Sequence, residues 1–243
     1  TDVVEVVMLK TKAQRVLCGL TVLSAVSFSG LVSASTVNIA VRGTISPVAC
    51  LPVLTGGGII DYGTIHPTTL HATDFTVLPE LSVDLAITCD APAKVALRSS
   101  NQRLGTMAGV TESGNGVAMM PVTVFGAADV GGVGLGLSGE KKVGGVAFTI
   151  DEASVLLDGA AGHVIGKTYG DPVWIDTPRH ADLFDKQWTR MVSFADTGDT
   201  TPAEFTVATA TVKAQAYLNK KSELDLTGPV ALNGLVRLEL VYL

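Results

Sequence analysis

LSVDLAITC, residues 81–89, alternates without a break: Leu81, Val83, Leu85, Ile87 and Cys89 are apolar, and Ser82, Asp84, Ala86 and Thr88 stand between them. Successive side chains of a β-strand point to opposite faces, so this spacing predicts a strand with one face in a core and the other in water. Outward from it, short runs rich in Val, Ile, Leu, Thr and Ala recur between clusters of Gly, Pro, Asn and Asp. Helical periodicity is almost absent after residue 34. The pattern predicts an all-β chain, with further strands at 37–45, 59–65, 94–98, 143–157, 205–218 and 235–243.

Cys89 belongs to the inward set, and two other cysteines bear on its partner. Cys18 falls in a segment, 8–34, that reads as a cleavable secretory signal. Lys10, Lys12 and Arg15 precede an uncharged, mostly apolar run over 16–32, and Val32 and Ala34 supply the small residues before a cut between Ala34 and Ser35. Residues 1–7 precede a plausible initiator, Met8, and read as upstream read-through. A retained anchor is the competing reading; the apolar run is shorter than the ~20 residues a spanning helix needs, and Gly19, Ser24, Ser27, Ser29 and Gly30 dilute it. Export leaves Cys50 and Cys89 as an even pair in an oxidising compartment, where a disulfide in the core is expected. A metal site is the alternative, and the four histidines show no ligand spacing with either cysteine.

The mature chain, 35–243, reads as one β-domain with long loop insertions. Over 104–145 glycines accumulate, including the run 131–136, and the expectation is a mobile insertion. A net charge of −6, with Lys and Arg scattered through the mature part, provides no basic stripe for nucleic acid or anionic lipid, and no segment beyond the signal has the composition to span a membrane. No Lys followed by Ser or Thr closes the glycine run into a phosphate cradle. Ser138, in GLSGE, lacks the spacing of a nucleophile elbow. No catalytic residue, cofactor or resident metal is expected, and the chain does not read as an enzyme. The segment 169–194 holds Trp174, His180 and Trp188 with Asp182 and Asp185, a set that suits sugar or metal if the fold brings it together, and a solvated loop if it does not. His66 and His71 flank Pro67 near a turn and His163 begins a strand, and all three read as structural.

Both mature termini alternate. Val37, Ile39, Val41, Gly43 and Ile45 are separated by Asn38, Ala40, Arg42 and Thr44; Val236, Leu238, Leu240 and Tyr242 are separated by Arg237, Glu239 and Val241. Ordinary edge strands are one reading. The stretch TVNIAVRGTISPVAC (36–50), the Cys50 and Cys89 pair and the final strand with penultimate Tyr242 also resemble subunits of chaperone-usher fimbriae. ACLPVLTGGGIIDYGTI (49–65), LAITCDAPAKVAL (85–97) and VRLELVYL (236–243) resemble, more closely, a fimbria-associated family of periplasmic proteins known as a domain of unknown function. The resemblance covers about 37–89 and 205–243.

That resemblance implies an immunoglobulin-like, pilin-type β-sandwich that lacks its last strand and is completed by a donated one. It implies a periplasmic chaperone that pairs with the C-terminal strand through Val236, Leu238, Leu240 and Tyr242, an outer-membrane usher, and neighbouring subunits. Val37, Ile39, Val41 and Ile45 would fill the groove of a neighbour, with Gly43 as the small residue that admits exchange. The chain would be a structural or minor subunit acting in adhesion, located in the periplasm and then in a surface fimbrium of a Gram-negative bacterium. The alternatives are a carbohydrate-binding adhesin using the 169–194 loops, with a host or surface glycan as partner, and a stand-alone periplasmic protein.

Overall fold

The strand read from 81–89 runs on to Ala93 and lies next to one edge of a long, folded sheet. The computed structural model describes residues 37–177 and 179–243; the expected signal segment and the residues before it lie outside them. The chain divides into a unit ending at Ile45 and a unit spanning Ser46–Leu243. No α-helix occurs among the described residues, only three short 3-10 turns, so the chain is all-β.

In chain order the strands are β1 (Cys50–Leu54), β2 (Thr76–Val77), β3 (Leu81–Ala93), β4 (Val95–Asn101), β5 (Ala118–Met119), β6 (Gly131–Gly134) and β7 (Leu137–Ser138). There follow β8 (Lys141–Lys142), β9 (Gly144–Leu157), β10 (Ala160–Thr168), β11 (Arg190–Asp196), β12 (Phe205–Leu218) and β13 (Val236–Tyr242). The main sheet has the order β1-β3-β12-β9-β10-β11-β4-β13; β2 pairs with β12, and β6 joins β5 to β9. Every ladder is antiparallel.

The sheet folds over at the β9–β10 hairpin. Asp158 and Gly159 take positive φ of 49° and 85°, the twist that a two-residue hairpin turn requires and that Asp-Gly supplies. Only Leu156 and Leu157 then pair with β10, which leaves at Gly162 to follow β11 as far as Thr168. The two halves enclose one core. Ile87 of β3, Val95 of β4, Val164 of β10 and Phe205 of β12 are each 0% exposed. Phe194 of β11 meets Phe205 edge-on across the interior, with ring centroids 6.0 Å apart. Cys50 and Cys89 face each other in the β1–β3 ladder and form the expected disulfide.

Three expectations need correction. The stretch 104–145 is not a mobile insertion: it builds a second apolar cluster of Met107, Ala108, Met120, Val124 and Val130 around Tyr217. Within it β6 is wholly buried. Its glycines are there for contact rather than motion, since a Cβ on Gly131, Gly132 or Gly134 would come within 2.5 Å of Asp185 and Phe184 backbone, 2.3 Å of Met120 Sδ or 2.1 Å of Thr106 Oγ1. Residues 59–65 form no strand, although Ile60, Tyr62 and Ile65 still pack on the core. Residues 37–45 form no strand either. A strand is a paired state, and alternation alone supplies no partner.

Candidate functional site

The two ends of the sheet path, β1 and β13, each pair on one side only. Their inward side chains are correspondingly short of cover. Leu54 on β1, and Val236, Leu238 and Leu240 on β13, are only partly buried against the core, as are Val83 of β3 and Phe148 of β9 beside them, whereas Ile87, Val95, Val164 and Phe205 are fully enclosed. Between the two strands runs an apolar furrow of about 200 Å³, walled by Leu54, Ile60, Val83, Phe148, Val236 and Leu238. Leu232 carries it on into a second depression, lined by Ile65, Leu70, Leu218, Leu226 and Val230.

Two tyrosine hydroxyls lie along β1 and β13, one of them in the furrow wall. The Tyr62 hydroxyl donates to the Ala214 carbonyl at 3.4 Å, and burial pushes its pKa up to about 12, so it remains a donor at physiological pH. At the first residue of β1 the Cys50 N–H donates to Oη of Tyr242, the last residue of β13, at 2.7 Å, so a β13 hydroxyl spans the gap to β1 there. Tyr242 therefore has a task in its own chain, beside the pairing that Val236, Leu238, Leu240 and Tyr242 make with β4.

In the N-terminal unit Val37, Ile39, Val41 and Ile45 are 87–102% exposed. A Cβ on Gly43 would meet nothing within 4 Å. These five residues carry the apolar alternation with no sheet pairing among the described residues.

The loop set Trp174, His180 and Trp188 does not converge. Trp174 lies under the Lys167 ammonium, 4.8 Å from the ring centroid. His180 is buried, its Nδ1 2.5 Å from the Thr177 carbonyl and its Nε2 3.1 Å from Glu152 and 3.3 Å from Asp176. Trp188 is 55% exposed on the other side of its loop, by Arg98 and Glu239. No group of three or more His, Cys, Asp or Glu side chains placed to hold a metal ion occurs among the described residues. His163 lies inside β10 rather than at its start, and the His66 carbonyl and His71 N–H serve a local turn.

Asp182, expected with Asp185 in a ligand set or a solvated loop, is a buried acid instead. Asp182 is 2% exposed, with Oδ2 lacking a hydrogen bond and Arg179 Nη1 3.9 Å away. Burial pushes its carboxyl pKa up, against the opposing pull of Thr149 and Arg179. The protonated form is thus favoured by folding, and stability held at low pH is lost as pH rises through the folded-state pKa. Asp182→Asn is expected to raise the thermal midpoint at pH 7, with the gain fading as pH falls through the carboxylate range. Melting curves across pH check this; a gain that persists at low pH would assign it to packing rather than charge.

A family model described as "Protein of unknown function (DUF1120)" matches residues 39–147, a stretch that includes β1, β3, β4 and the disulfide. The chain is 28% identical over 247 residues to Protein GltF of Escherichia coli (strain K12), covering 91% of this chain and 94% of that one. It is 23% identical over 227 residues to the uncharacterized protein YhcF of the same organism, covering 87% and 92%. The resemblance of 49–65 and 85–97 to a family of unknown function is supported to that extent.

Proposed function

We propose that the chain is a structural or minor subunit of a chaperone-usher fimbria, an immunoglobulin-like sandwich completed by a donated strand and acting in adhesion. The observation that carries this reading is the apolar furrow between β1 and β13, flanked by two strands with one open edge each. Unpaired edges beside apolar surface are a liability that proteins normally cover. One extended peptide answers both needs, since its backbone satisfies an edge while alternate side chains enter the furrow. Val37, Ile39, Val41 and Ile45 of a neighbouring copy have that alternation and are exposed. A periplasmic chaperone holds β13 first, and an outer-membrane usher presides over the exchange. Cleavage after Ala34, which comes before both, releases the protein and frees the segment it donates.

The test is purification from periplasm with and without a co-expressed chaperone, followed by addition of a peptide spanning residues 35–47. At a hundredfold excess over its Kd a ligand of the folded state stabilises it by about 2.7 kcal/mol. For a domain of this size that moves the melting midpoint by about 5–10 °C. A peptide carrying Ile39→Asp and Val41→Asp is expected to leave the midpoint where it was. A monomer that is stable alone and indifferent to chaperone and peptide would overturn the proposal.

A further inference from the structure

The outer face of the same edge strand presents a different surface. Arg237 and Glu239 of β13 stand opposite Ser100 and Arg98 of β4 in register, so all four side chains share the face that looks away from the core. With Asn115 they floor a cleft of about 390 Å³. Two aromatic rings rise at its side, Tyr169 and Trp188, 54% and 55% exposed.

Both rings are held by their surroundings. The Tyr169 N–H donates to the Thr189 carbonyl at 2.8 Å, which continues the β10–β11 ladder past Thr168 and Arg190 and sets Tyr169 beside Trp188. The Asp185 carboxylate accepts from the N–H groups of Gln187 and Trp188 at 2.9 and 3.1 Å, fixing the turn that carries the indole. The floor is ordered too. Arg98 donates through Nε and Nη2 to Glu239 at 3.1 and 2.5 Å, and its guanidinium stacks 5.0 Å from the Tyr169 ring centroid. Arg237 makes no ion pair among the described residues.

We propose that this cleft binds a saccharide unit bearing a carboxylate. Large rings left half in water beside fixed polar groups mark a surface prepared for a ligand that is apolar on one face and polar at its rim. A pyranose has that form: its C–H face lies on an aromatic ring while its hydroxyls exchange hydrogen bonds with Ser100, Asn115 and Glu239. Charge selects among sugars. Glu239 neutralises Arg98, which leaves Arg237 as the cation over the floor, and a guanidinium matches a carboxylate with two parallel hydrogen bonds. The ligand residues are thus Tyr169, Trp188 and Arg237, not the grouping of Trp174, His180 and Trp188 expected from the sequence. The cleft lies on the opposite face of β13 from the furrow, so it stands or falls independently of strand donation.

The test is calorimetric titration of the secreted chain with oligosaccharides ending in a uronic or sialic acid, each paired with its neutral counterpart. Acidic sugars are expected to bind, Trp188→Ala and Tyr169→Ala each to weaken binding at least tenfold, and Arg237→Gln to bring acidic ligands down to the neutral level. Trp188→Phe is expected to retain most of the affinity, and Trp174→Ala all of it. Because both rings are half-exposed, unchanged melting curves are expected to show that the variants fold. Absence of binding by any acidic sugar, equal binding of the neutral partners, or affinity indifferent to both ring deletions would overturn the proposal.

Discussion

Replacing Cys50 and Cys89 together by alanine is expected to lower stability by about 4 kcal/mol, read as a fall in the urea midpoint at constant slope. The two residues are 39 apart in the chain, and loop-closure entropy in the unfolded state sets that magnitude. Folded geometry adds a local consequence. β1 is a five-residue strand laddered only to β3, and it contains Pro52, which cannot donate to a ladder. Without the disulfide, β1 depends on that short ladder and on the Tyr242 hydroxyl. The variant is expected to lose affinity for the 35–47 peptide along with its stability, because one wall of the furrow is no longer tethered. A cost below about 1 kcal/mol would mean that the ladder alone holds β1.

The second large effect is expected at Tyr217. Its ring is 0% exposed, meets Phe75 edge-on at 5.1 Å and lies over Gly145, where a Cβ would come within 2.6 Å of the ring. Its hydroxyl donates to the Ala108 carbonyl at 2.5 Å, joining β12 to the segment that carries Met107 and Met120. Burial pushes the hydroxyl pKa up, so the donor is kept at physiological pH. Tyr217→Ala is expected to cost about 3–5 kcal/mol, as truncation of a buried aromatic side chain does. Tyr217→Phe is expected to cost about 1–3 kcal/mol, because the Ala108 carbonyl loses its donor. Limited proteolysis distinguishes this from a general loss of core packing: Tyr217→Ala is expected to open 104–130 to cleavage before the main sheet. Uniform cleavage would show that the cluster has no separate dependence on the ring.

Alternation made the long two-faced strands legible. β3 and β13 lie where apolar residues recur at every second position, and β9 and β12 keep that period on either side of an irregularity, because a strand with one wet face must write it into its sequence. β11 escaped because RMVSFAD is buried almost throughout and has no wet face to mark a period. β10 was read only as a strand beginning at His163, because AAGHVIGKT opens on small residues, although Asp158-Gly159 before it is a hairpin signal in plain view. The glycines of β6 were misread for a physical reason: glycine usually signals freedom, and here it signals backbone approach too close for any side chain. Cleft and furrow were legible to different degrees. The alternating Val236, Leu238 and Leu240 pointed to β13, but the meeting of Arg98 with Tyr169 joins positions that no local pattern connects. Trp174, His180 and Trp188, near in sequence, fall in three separate environments.

The bridge from the Cys50 N–H to the Tyr242 hydroxyl gives the furrow a direction. The bond ties the first residue of β1 to the last of β13, while Leu54 and Val236, at the other ends of the same two strands, line the furrow. If a donated strand fills the furrow as proposed, that tie sets a limit on how far it can pair toward Cys50, like a zip drawn to its last tooth. Its final alignment is then set by where it comes to rest, and guests of differing length would share one terminus and differ only in how much they leave outside.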